Sequence, residues 1–452
     1  MKDKLIRLGI FLVCMFCVYQ FGLKPMIKKD TSIKTTSGNF GWAKKDLIRE
    51  SDKYDVIVFG EEPEGIAAAV TAARAGAKTL LVATGNDLGG SICGSLDFNF
   101  EPDIGINNEV LNRGIFTEII SALGNEISPQ KYKSVMEKLV KSVNNLEVIY
   151  GASLKSPAVD NNIIYGINLV VDGKEGSYFG KRFIDASKYG ELLVKCKAPC
   201  FKGAEDINLK NVYAPVSINF EISNIKWSEV EDSLSQDKIE RLKGALSAYK
   251  PVNANFRLGK IKFINEGDGK IIVHGLEAFN VNVADDKALM DQYYIATEEA
   301  KTFAKFLKDR LIPFQNSVYE KTADKFSIKE YRHFKGEHIL TVNEALQNTD
   351  FIDKVAVASN PIEAYSSDDT NEKYIIGKPL QYSIPLGCII PLEIDNLFMI
   401  GSKISYSSLV SSSSASIGSN ITVGESSGIA AVYSLVKNEL PRTFVKGIGS
   451  KK

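Results

Sequence analysis

A glycine-containing turn has the residue types and spacing of a site for a nucleotide phosphate. The segment Gly60-Glu61-Glu62-Pro63-Glu64-Gly65 follows the apolar run Tyr54 to Phe59 and precedes the small residues Ile66 to Ala69. A second apolar run, Thr79 to Val82, completes a strand–turn–helix–strand unit of about 30 residues. Such a unit holds a dinucleotide pyrophosphate at the N-terminus of its helix. The usual pattern is Gly-x-Gly-x-x-Gly, so Glu62 stands in place of the middle glycine.

The second strand of this unit lacks the acid that usually binds the ribose. That acid normally ends the strand, and Ala83 occupies its place. Its loss removes about 1.5–3 kcal/mol of charge-assisted hydrogen bonding, or one to two powers of ten in affinity. A dinucleotide has many other contacts, and Thr84, Asn86 or Asp87 is available to replace the hydrogen bond.

Three acids crowd the turn where a doubly negative pyrophosphate would sit. Glu61, Glu62 and Glu64 lie at the predicted helix N-terminus, where carboxylates are favourable to the helix dipole. They therefore suit the helix whether or not a nucleotide binds, and they must point away from any pyrophosphate that does. Gly60 and Gly65 are likewise needed for the turn and for close packing in either case.

Composition limits the classes of protein to which this chain can belong. It has 452 residues, 44% of them hydrophobic, which predicts a globular protein of two or three domains. The 55 basic and 55 acidic residues balance, so no nucleic-acid partner is expected. Six cysteines are too few for a disulfide scaffold. Cys196 and Cys200 are close enough to pair in an oxidising compartment, but two unconnected thiols are the favoured interpretation.

The N-terminus resembles a membrane anchor. Lys2, Lys4 and Arg7 precede the uncharged run Leu8 to Leu23, which Lys24 follows. A helix of that length spans about 24 Å, and flanking apolar residues extend it towards the ~30 Å hydrocarbon core. We expect residues 1–27 to form an uncleaved single-pass anchor, with the soluble part outside the cytoplasm. A cleaved signal peptide is the alternative, although no small-x-small cleavage site follows the apolar run.

The remaining periodicities predict an α/β fold. A Rossmann-like domain is built from N- and C-terminal segments, and an α+β substrate domain is inserted between them. Predicted strands cover 147–154, 163–171, 182–186 and 396–400, and predicted helices cover 128–144, 285–311 and 421–435, with a serine-rich loop before the last. The expected domains are a linker at 28–53, a nucleotide-binding domain at 54–210 and 381–440, a substrate domain at 211–380 and a tail at 441–452.

Four further blocks follow the turn that contains Pro63, in order along the chain. They are Leu88-Gly89-Gly90, Ile184-Asp185-Ala186 with Ala198-Pro199, Ser327 to His333 with Gly336-Glu337 and Leu340-Thr341, and Pro385 to Ser405. Together the five blocks resemble the FAD-dependent oxidoreductases of the glutathione-reductase-like flavoprotein fold. The turn is similar to that family's Gly-Gly-x-Pro-x-Gly variant, and the later blocks are similar to its Leu-Gly-Gly turn, its Ile-Asp-Ala-Thr-Gly strand, its Arg-Glu-Ser-Arg-Arg segment and its closing Gly-Arg-x-Ile-Ser loop.

This resemblance implies a cofactor, a reaction and a set of site residues. The implied cofactor is FAD, which would accept a hydride from a small organic substrate, and no metal is implied. The last helix would aim its N-terminus at the flavin pyrimidine ring. The residues expected to hold the cofactor are Gly60, Glu62, Pro63, Glu64, Gly65, Thr84, Leu88, Gly89, Gly90, Ser91, Asp185, Gly401, Ser402 and Gly424.

Arg332 and His333 are the candidate catalytic residues. Arg332 would bind a substrate carboxylate or stabilise reduced flavin; its alternative role is an ion pair with Glu330 or Glu337. His333 is singled out because it follows Arg332 in a family-like block, although most histidines serve in packing or on the surface.

The departures from the family pattern support a second function. Ala83, Lys188, Lys403 and the run Ser411 to Ser414 all replace residues on the cofactor side of the fold. The alternative to an oxidoreductase is therefore a catalytically degenerate flavin-fold protein that acts as a membrane-tethered binding or scaffold module. The expected partners are a small-molecule substrate and the membrane, and the oligomeric state is left open.

Overall fold

The computed structural model describes residues 53–366, 371–443 and 445. The predicted anchor at 1–27 and the predicted linker, apart from its last residue, lie outside this range. Among the described residues no helix is both long enough and apolar enough to cross a bilayer.

The strands of the described part, in chain order, are β1 Lys53–Phe59, β2 Thr79–Val82, β3 Leu146–Ile149, β4 Ser153–Asp160, β5 Ile163–Val171, β6 Lys174–Asp185, β7 Cys200–Lys202, β8 Val216–Ser223, β9 Phe256–Gly267, β10 Lys270–Ala278, β11 Val318–Thr322, β12 Arg332–Phe334, β13 Lys354–Ala358, β14 Ile362–Tyr365, β15 Lys373–Gly377, β16 Tyr382–Pro385 and β17 Leu397–Met399.

The α-helices of the same part are α1 Pro63–Arg74, α2 Gly90–Ser95, α3 Ile115–Leu123, α4 Pro129–Lys141, α5 Glu191–Lys195, α6 Trp227–Ser233, α7 Ile239–Leu246, α8 Asp286–Arg310, α9 Val342–Leu346, α10 Ser408–Ser414 and α11 Ile417–Val436.

The strand–turn–helix–strand unit forms as predicted. β1 and β2 pair in parallel with Phe59 opposite Val82, and residues of both are buried, as in a parallel sheet covered on its two faces. Pro63 begins α1, where its missing N–H costs nothing. The turn requires glycine, because Gly60 has φ +118° and an added Cβ would lie 2.3 Å from the carbonyl carbon of Ala186.

This unit belongs to a seven-stranded sheet. The strand order is β3-β2-β1-β6-β5-β4, and β17 also pairs with β6. β3, β2, β1, β6 and β17 run parallel, whereas β4 and β5 are joined to β6 as an antiparallel meander. The pairing of β17 with β6 confirms that N- and C-terminal segments build one sheet.

The closing helix packs closely on the first one. An added Cβ at Gly424 would lie 2.1 Å from the backbone oxygen of Glu64, and one at Gly428 would lie 2.5 Å from that of Ala68. Glycine at both positions lets α11 approach α1 backbone to backbone. The small residues of the last helix therefore serve packing.

A second core lies under an antiparallel sheet of order β11-β8-β10-β9. Helix α8 packs on it through Ala296, Ala300, Phe303 and Leu307, at the i, i+3, i+4 spacing of a helix face. The buried residues of this core come from Tyr213 to Ile328, and apolar residues from Phe334 onward pack with the seven-stranded sheet.

Three predicted elements differ from the structure. The strand predicted at 147–154 is two strands, β3 and β4, because the chain turns at Gly151 with φ +62°. The strand predicted at 182–186 is the end of the longer β6. The serine-rich loop contains helix α10, in which Ser411 and Ser412 donate hydroxyl hydrogen bonds to the carbonyls three residues earlier. These bonds satisfy the hydroxyls within the helix, so the serine run does not break it.

Candidate functional site

The candidate site lies at the carboxyl ends of β1, β2, β6 and β17. Ligands of open parallel sheets bind in the crevice at this edge, where the strand order reverses. The structure brings Glu61, Glu62, Glu64, Asp185 and Lys403 together here, and all five are buried. Charged groups so far from water must be paired or hydrogen-bonded.

Glu61 spans the gap to the end of β2. Its Oε2 accepts a hydrogen bond of 2.9 Å from the backbone N–H of Thr84, and its Oε1 accepts one of 3.0 Å from the backbone N–H of Gly85. The hydroxyl of Thr84 donates to the same carboxylate at 3.0 Å. Thr84, predicted to contact the cofactor, is therefore engaged by Glu61, beside the position where Ala83 replaces a ribose-binding acid.

Glu62 binds the glycine turn that follows β2. Its Oε1 accepts a hydrogen bond of 2.9 Å from the backbone N–H of Ser91, and its Oε2 accepts one of 2.7 Å from the Ser91 hydroxyl. Gly90, at φ +57°, sits against this carboxylate: an added Cβ would lie 3.4 Å from Glu62 Oε2. Leu88 is fully buried beneath the turn, and the N–H of Gly89 donates to Asp87 Oδ1 at 2.8 Å.

Glu64 fills the space between α1 and the loop after β17. Gly401, at φ +89°, leaves room for it, since an added Cβ there would lie 2.3 Å from Glu64 Oε1. Burial and, secondly, the neighbouring Glu62 raise the pKa of Glu64 to about 7, although a hydrogen bond from its own backbone N–H, Lys403 and Lys188 act in the opposite direction. Glu64 therefore holds a proton over much of the range in which an ordinary glutamate has lost it.

Asp185 and Lys403 form a buried pair of opposite charges within the site. Asp185 accepts hydrogen bonds from the backbone N–H and hydroxyl of Ser187, at 3.0 and 2.6 Å, and from the backbone N–H of Leu193 at 2.9 Å. Lys403 Nζ lies 3.8 Å from Asp185 Oδ1 and donates to the carbonyl of Ile400. Burial lowers the pKa of Lys403, and the nearby carboxylates partly oppose that shift.

A shallow cavity adjoins this cluster, and its space of about 200 Å³ is partly open to solvent. In this conformation it encloses no room for a ligand, whereas small-molecule sites typically offer 300–1,000 Å³. Three cationic side chains contribute to its wall, those of Lys188, Arg332 and Lys403. The other lining residues are Tyr189, Ile328, Glu330, Tyr331 and Ser402.

The two predicted catalytic residues have different surroundings. Arg332 lines the cavity, with its guanidinium 4.3 Å from the centre of the Tyr331 ring and its Nη2 donating to the Tyr331 hydroxyl at 2.7 Å. Its buried Nε has no hydrogen-bond partner among the described residues. His333 is fully buried behind the cavity, and its Nε2 lies 3.1 Å from Glu330 Oε1.

Neither carboxylate foreseen as an ion-pair partner of Arg332 is left free for it. Glu330 accepts a hydrogen bond of 2.9 Å from the backbone N–H of Ala214, in addition to its contact with His333. Glu337 pairs with Arg442 at 2.7 Å. The surface ion pair considered for Arg332 is therefore replaced by stacking on Tyr331.

A buried acid at the N-terminus of α11 was missed in the sequence. Asp103 Oδ2 accepts hydrogen bonds from the hydroxyls of Ser416 and Ser419, at 2.9 and 2.7 Å, and from Asn112 Nδ2 at 3.1 Å. Asn360 Nδ2 donates to its other oxygen. An anion is stable at a helix N-terminus, so the carboxylate of Asp103 stabilises this end of α11, which the family resemblance aims at the flavin. No local pattern signals this role, because the helix begins more than 300 residues later.

The predicted dinucleotide contacts are thus made by the chain itself. The backbone donors at Thr84, Gly85 and Ser91 are the kind of group that would hold a ribose and phosphates at this edge, and each donates to a glutamate instead. Glu61 and Glu62 do not point away from the crevice; they occupy it. In this conformation these three backbone donors are therefore not free to hold a dinucleotide.

Solved structures with some likeness to this chain are distant. A geranylgeranyl bacteriochlorophyll reductase-like protein from Thermoplasma acidophilum is 13% identical, with 88% of this chain and 84% of that one covered and a TM-score of 0.45. The flavin-dependent brominase Bmp2 is 11% identical, with 88% and 83% covered and a TM-score of 0.46. The p-nitrophenol 4-monooxygenase PnpA from Pseudomonas putida is 11% identical, with 63% and 70% covered and a TM-score of 0.36. Likenesses this low carry no argument about function.

A family match is more informative than these structures. No curated protein sequence matches the chain. Residues 55–445, however, match the family described as FAD dependent oxidoreductase, which covers nearly all of the described part. The family resemblance inferred from the sequence is confirmed, FAD is confirmed as the cofactor of that family, and flavin redox chemistry is its general function. The chain belongs to the FAD dependent oxidoreductase family.

Proposed function

We propose that the protein oxidises a small anionic organic substrate, with FAD as the hydride acceptor. The observation that carries this proposal is the cationic wall of the cavity, to which Lys188, Arg332 and Lys403 contribute. Lys403 is paired with Asp185, which leaves Lys188 and Arg332 against the single lining carboxylate of Glu330 to favour an anion over a neutral molecule.

Arg332 is the residue that we expect to bind the substrate. A guanidinium binds a carboxylate through two parallel hydrogen bonds, and stacking on an aromatic ring fixes its plane. Tyr331 provides that ring, and the buried Nε of Arg332 is left with a donor to offer. His333, which is buried and bonded to Glu330, would act by positioning the strand that carries Arg332.

FAD binding requires Glu61 and Glu62 to change conformation. When bound, FAD supplies the electron acceptor that the protein's side chains lack. Because Glu61 and Glu62 hold the donors of the crevice in the conformation described, FAD enters only after these carboxylates have left them.

The filled crevice also favours a second candidate function. A flavin-fold protein that has lost catalysis would keep the glycines that pack α11 on α1 while replacing the cofactor contacts with its own side chains. The hydrogen bonds of Glu61 and Glu62 are such replacements. The protein would then serve as a binding or scaffold module at the membrane, with residues 1–27 as its tether.

Analysis of bound cofactor separates the two candidates. The full-length protein would be purified in mild detergent, its absorbance recorded, and any released flavin identified by chromatography. The oxidoreductase predicts FAD, either copurified or taken up on addition, and bleaching of its absorbance by small carboxylic acids under anaerobic conditions. Protein that is colourless and stays so with added FAD would leave only the binding module.

Membrane attachment needs its own measurement. The proposed anchor predicts that the protein stays in the membrane fraction after alkaline carbonate washing and that deletion of residues 1–27 releases it. A protein recovered from the cells without its first residues and in soluble form would instead support the cleaved signal peptide.

A further inference from the structure

We propose that Glu61 and Glu62 are internal ligands that compete with FAD for its own binding crevice. The carboxylates make the hydrogen bonds that a dinucleotide would make there, so the apo protein is stabilised in a form closed to the cofactor. FAD occupancy is then set by the equilibrium between this closed form and an open one.

The first support is the identity of the donors. Glu61 accepts from two successive backbone N–H groups at the end of β2, and Glu62 accepts from the backbone N–H and hydroxyl of Ser91 in the glycine turn. Backbone N–H groups in glycine turns beyond parallel strands are the general means of holding nucleotide phosphates. A carboxylate offers the same two-oxygen acceptor as a phosphate edge, which is why it satisfies them.

The second support is the reach of both side chains. Each leaves the turn after β1 and binds a segment 23 to 29 residues away in the chain, across the crevice. Both residues are only 8% exposed, so the bonds are shielded from competing water. A glutamate that merely favoured the helix dipole would remain at the N-terminus of α1, and Glu62 makes no side-chain hydrogen bond to that helix.

The third support is charge. A pyrophosphate in the crevice would meet the buried carboxylates of Glu61 and Glu62. Like charges placed against one another strongly weaken binding unless one side moves. Because only the open form accepts FAD, the apparent dissociation constant equals the intrinsic one divided by the open fraction.

The test is FAD affinity in glutamate variants of the full-length protein. Glu62→Gly restores a small residue at the middle position of the turn, and Glu61→Gly frees the donors after β2. Fluorescence quenching of added FAD is expected to give a dissociation constant at least about tenfold lower for each variant than for wild type. Glu62→Gln keeps the size and removes the charge, so its gain is expected to be smaller than that of Glu62→Gly. Glu118→Gln, at a surface glutamate that pairs with Arg74, is the control and is expected to match wild type.

Thermal unfolding separates competition from a purely structural role. Without FAD, Glu61→Gly and Glu62→Gly are expected to unfold at lower temperature than wild type, because backbone donors lose their partners. With saturating FAD they are expected to show a larger upward shift than wild type. Destabilisation without any gain in FAD affinity would overturn the proposal, as would a failure of both the wild type and the soluble, folded variants to bind FAD.

FAD binding by the wild type and by the variants, taken together, shows whether the internal ligands or the proposed oxidoreductase function is wrong. Wild type that stays colourless with added FAD, together with variants that gain FAD, supports the internal ligands and removes the oxidoreductase. Wild type that binds FAD tightly, with variants no tighter, overturns the internal ligands and leaves the oxidoreductase standing.

Discussion

The carboxylate of Glu61 lies 2.9 Å from the backbone nitrogen of Thr84 and joins the turn after β1 to the end of β2. In a dinucleotide-binding unit these two ends are bridged by the ligand, and the acid at the end of β2 faces the ribose. Here Ala83 stands in place of that acid, and Glu61 supplies a carboxylate from the opposite side of the crevice. The carboxylate at this place therefore contacts the protein's own backbone instead of a ligand.

Glu64→Gln is expected to change how stability depends on pH. The pKa of Glu64 is raised from 4.5 to about 7 in the folded protein, so between these values the folded state holds a proton that the unfolded state has released. The contribution of Glu64 to the free energy of unfolding is therefore complete below pH 4.5. It falls by on the order of 3 kcal/mol as the pH rises to 7. The glutamine variant should lack this loss and exceed wild type at pH 8, as measured by urea unfolding at several pH values.

Glu62, Lys403 and Lys188 also act on Glu64, so the comparison needs a second acid. Asp309, which is exposed and pairs with Lys305 on α8, is suitable. Asp309→Asn should follow the wild-type pH profile. A Glu64→Gln profile parallel to that of wild type would show that Glu64 titrates normally.

Gly424→Ala is expected to destabilise the protein by about 3 kcal/mol. The new Cβ would lie 2.1 Å from the backbone oxygen of Glu64, and backbone cannot move aside as a side chain can. The change therefore forces α11 away from α1. The free energy of unfolding in urea measures the effect.

Gly244→Ala is the matched control for this substitution. Gly244 also lies in a helix, α7, and an added Cβ meets nothing within 4 Å. Alanine there should stabilise the protein by about 0.5–1 kcal/mol, because glycine is a poor helix former. Equal effects at the two positions would contradict the close packing of α11 on α1.

Asp103→Asn is expected to cost about 2–3 kcal/mol of stability. Asp103 accepts the hydroxyl hydrogen bonds of Ser416 and Ser419 at the N-terminus of α11, and an amide would turn one acceptor into a donor that faces these groups. Thermal unfolding at neutral pH measures the loss. If Asp103→Asn unfolds within 0.5 kcal/mol of the wild type, as is expected of the exposed Asp309→Asn, Asp103 does not secure the helix.

Arg332→Ala is expected to raise the KM for an anionic substrate by about ten- to a hundredfold. Arg332→Lys should recover only part of the loss, because lysine lacks the planar pair of donors. Steady-state kinetics on an acid and its neutral amide would show the effect on the acid alone. The exposed Arg113→Ala is the control, and equal losses for acid and amide would remove Arg332 from substrate binding.

Local patterns were sufficient for much of the fold. The apolar run before Gly60, the glycine itself and the small residues after Gly65 predicted β1 and α1, and the family-like closing segment predicted β17 and α11. These features are local because periodicity and turn chemistry act over a few residues. The serine run was misjudged as a loop because its hydroxyls are satisfied inside a helix.

The amino-acid sequence by itself determined that three glutamates crowd a nucleotide turn, with Glu62 in place of its middle glycine, and that the acid after β2 is missing. It also determined the family. Only the tertiary structure decided that Glu61 and Glu62 bind across the crevice and that Asp103 secures α11. The partners of these acids lie 23, 29 and 313 residues away in the chain. A side-chain hydrogen bond depends on which segments the sheet brings within 3 Å, and no local pattern contains that information.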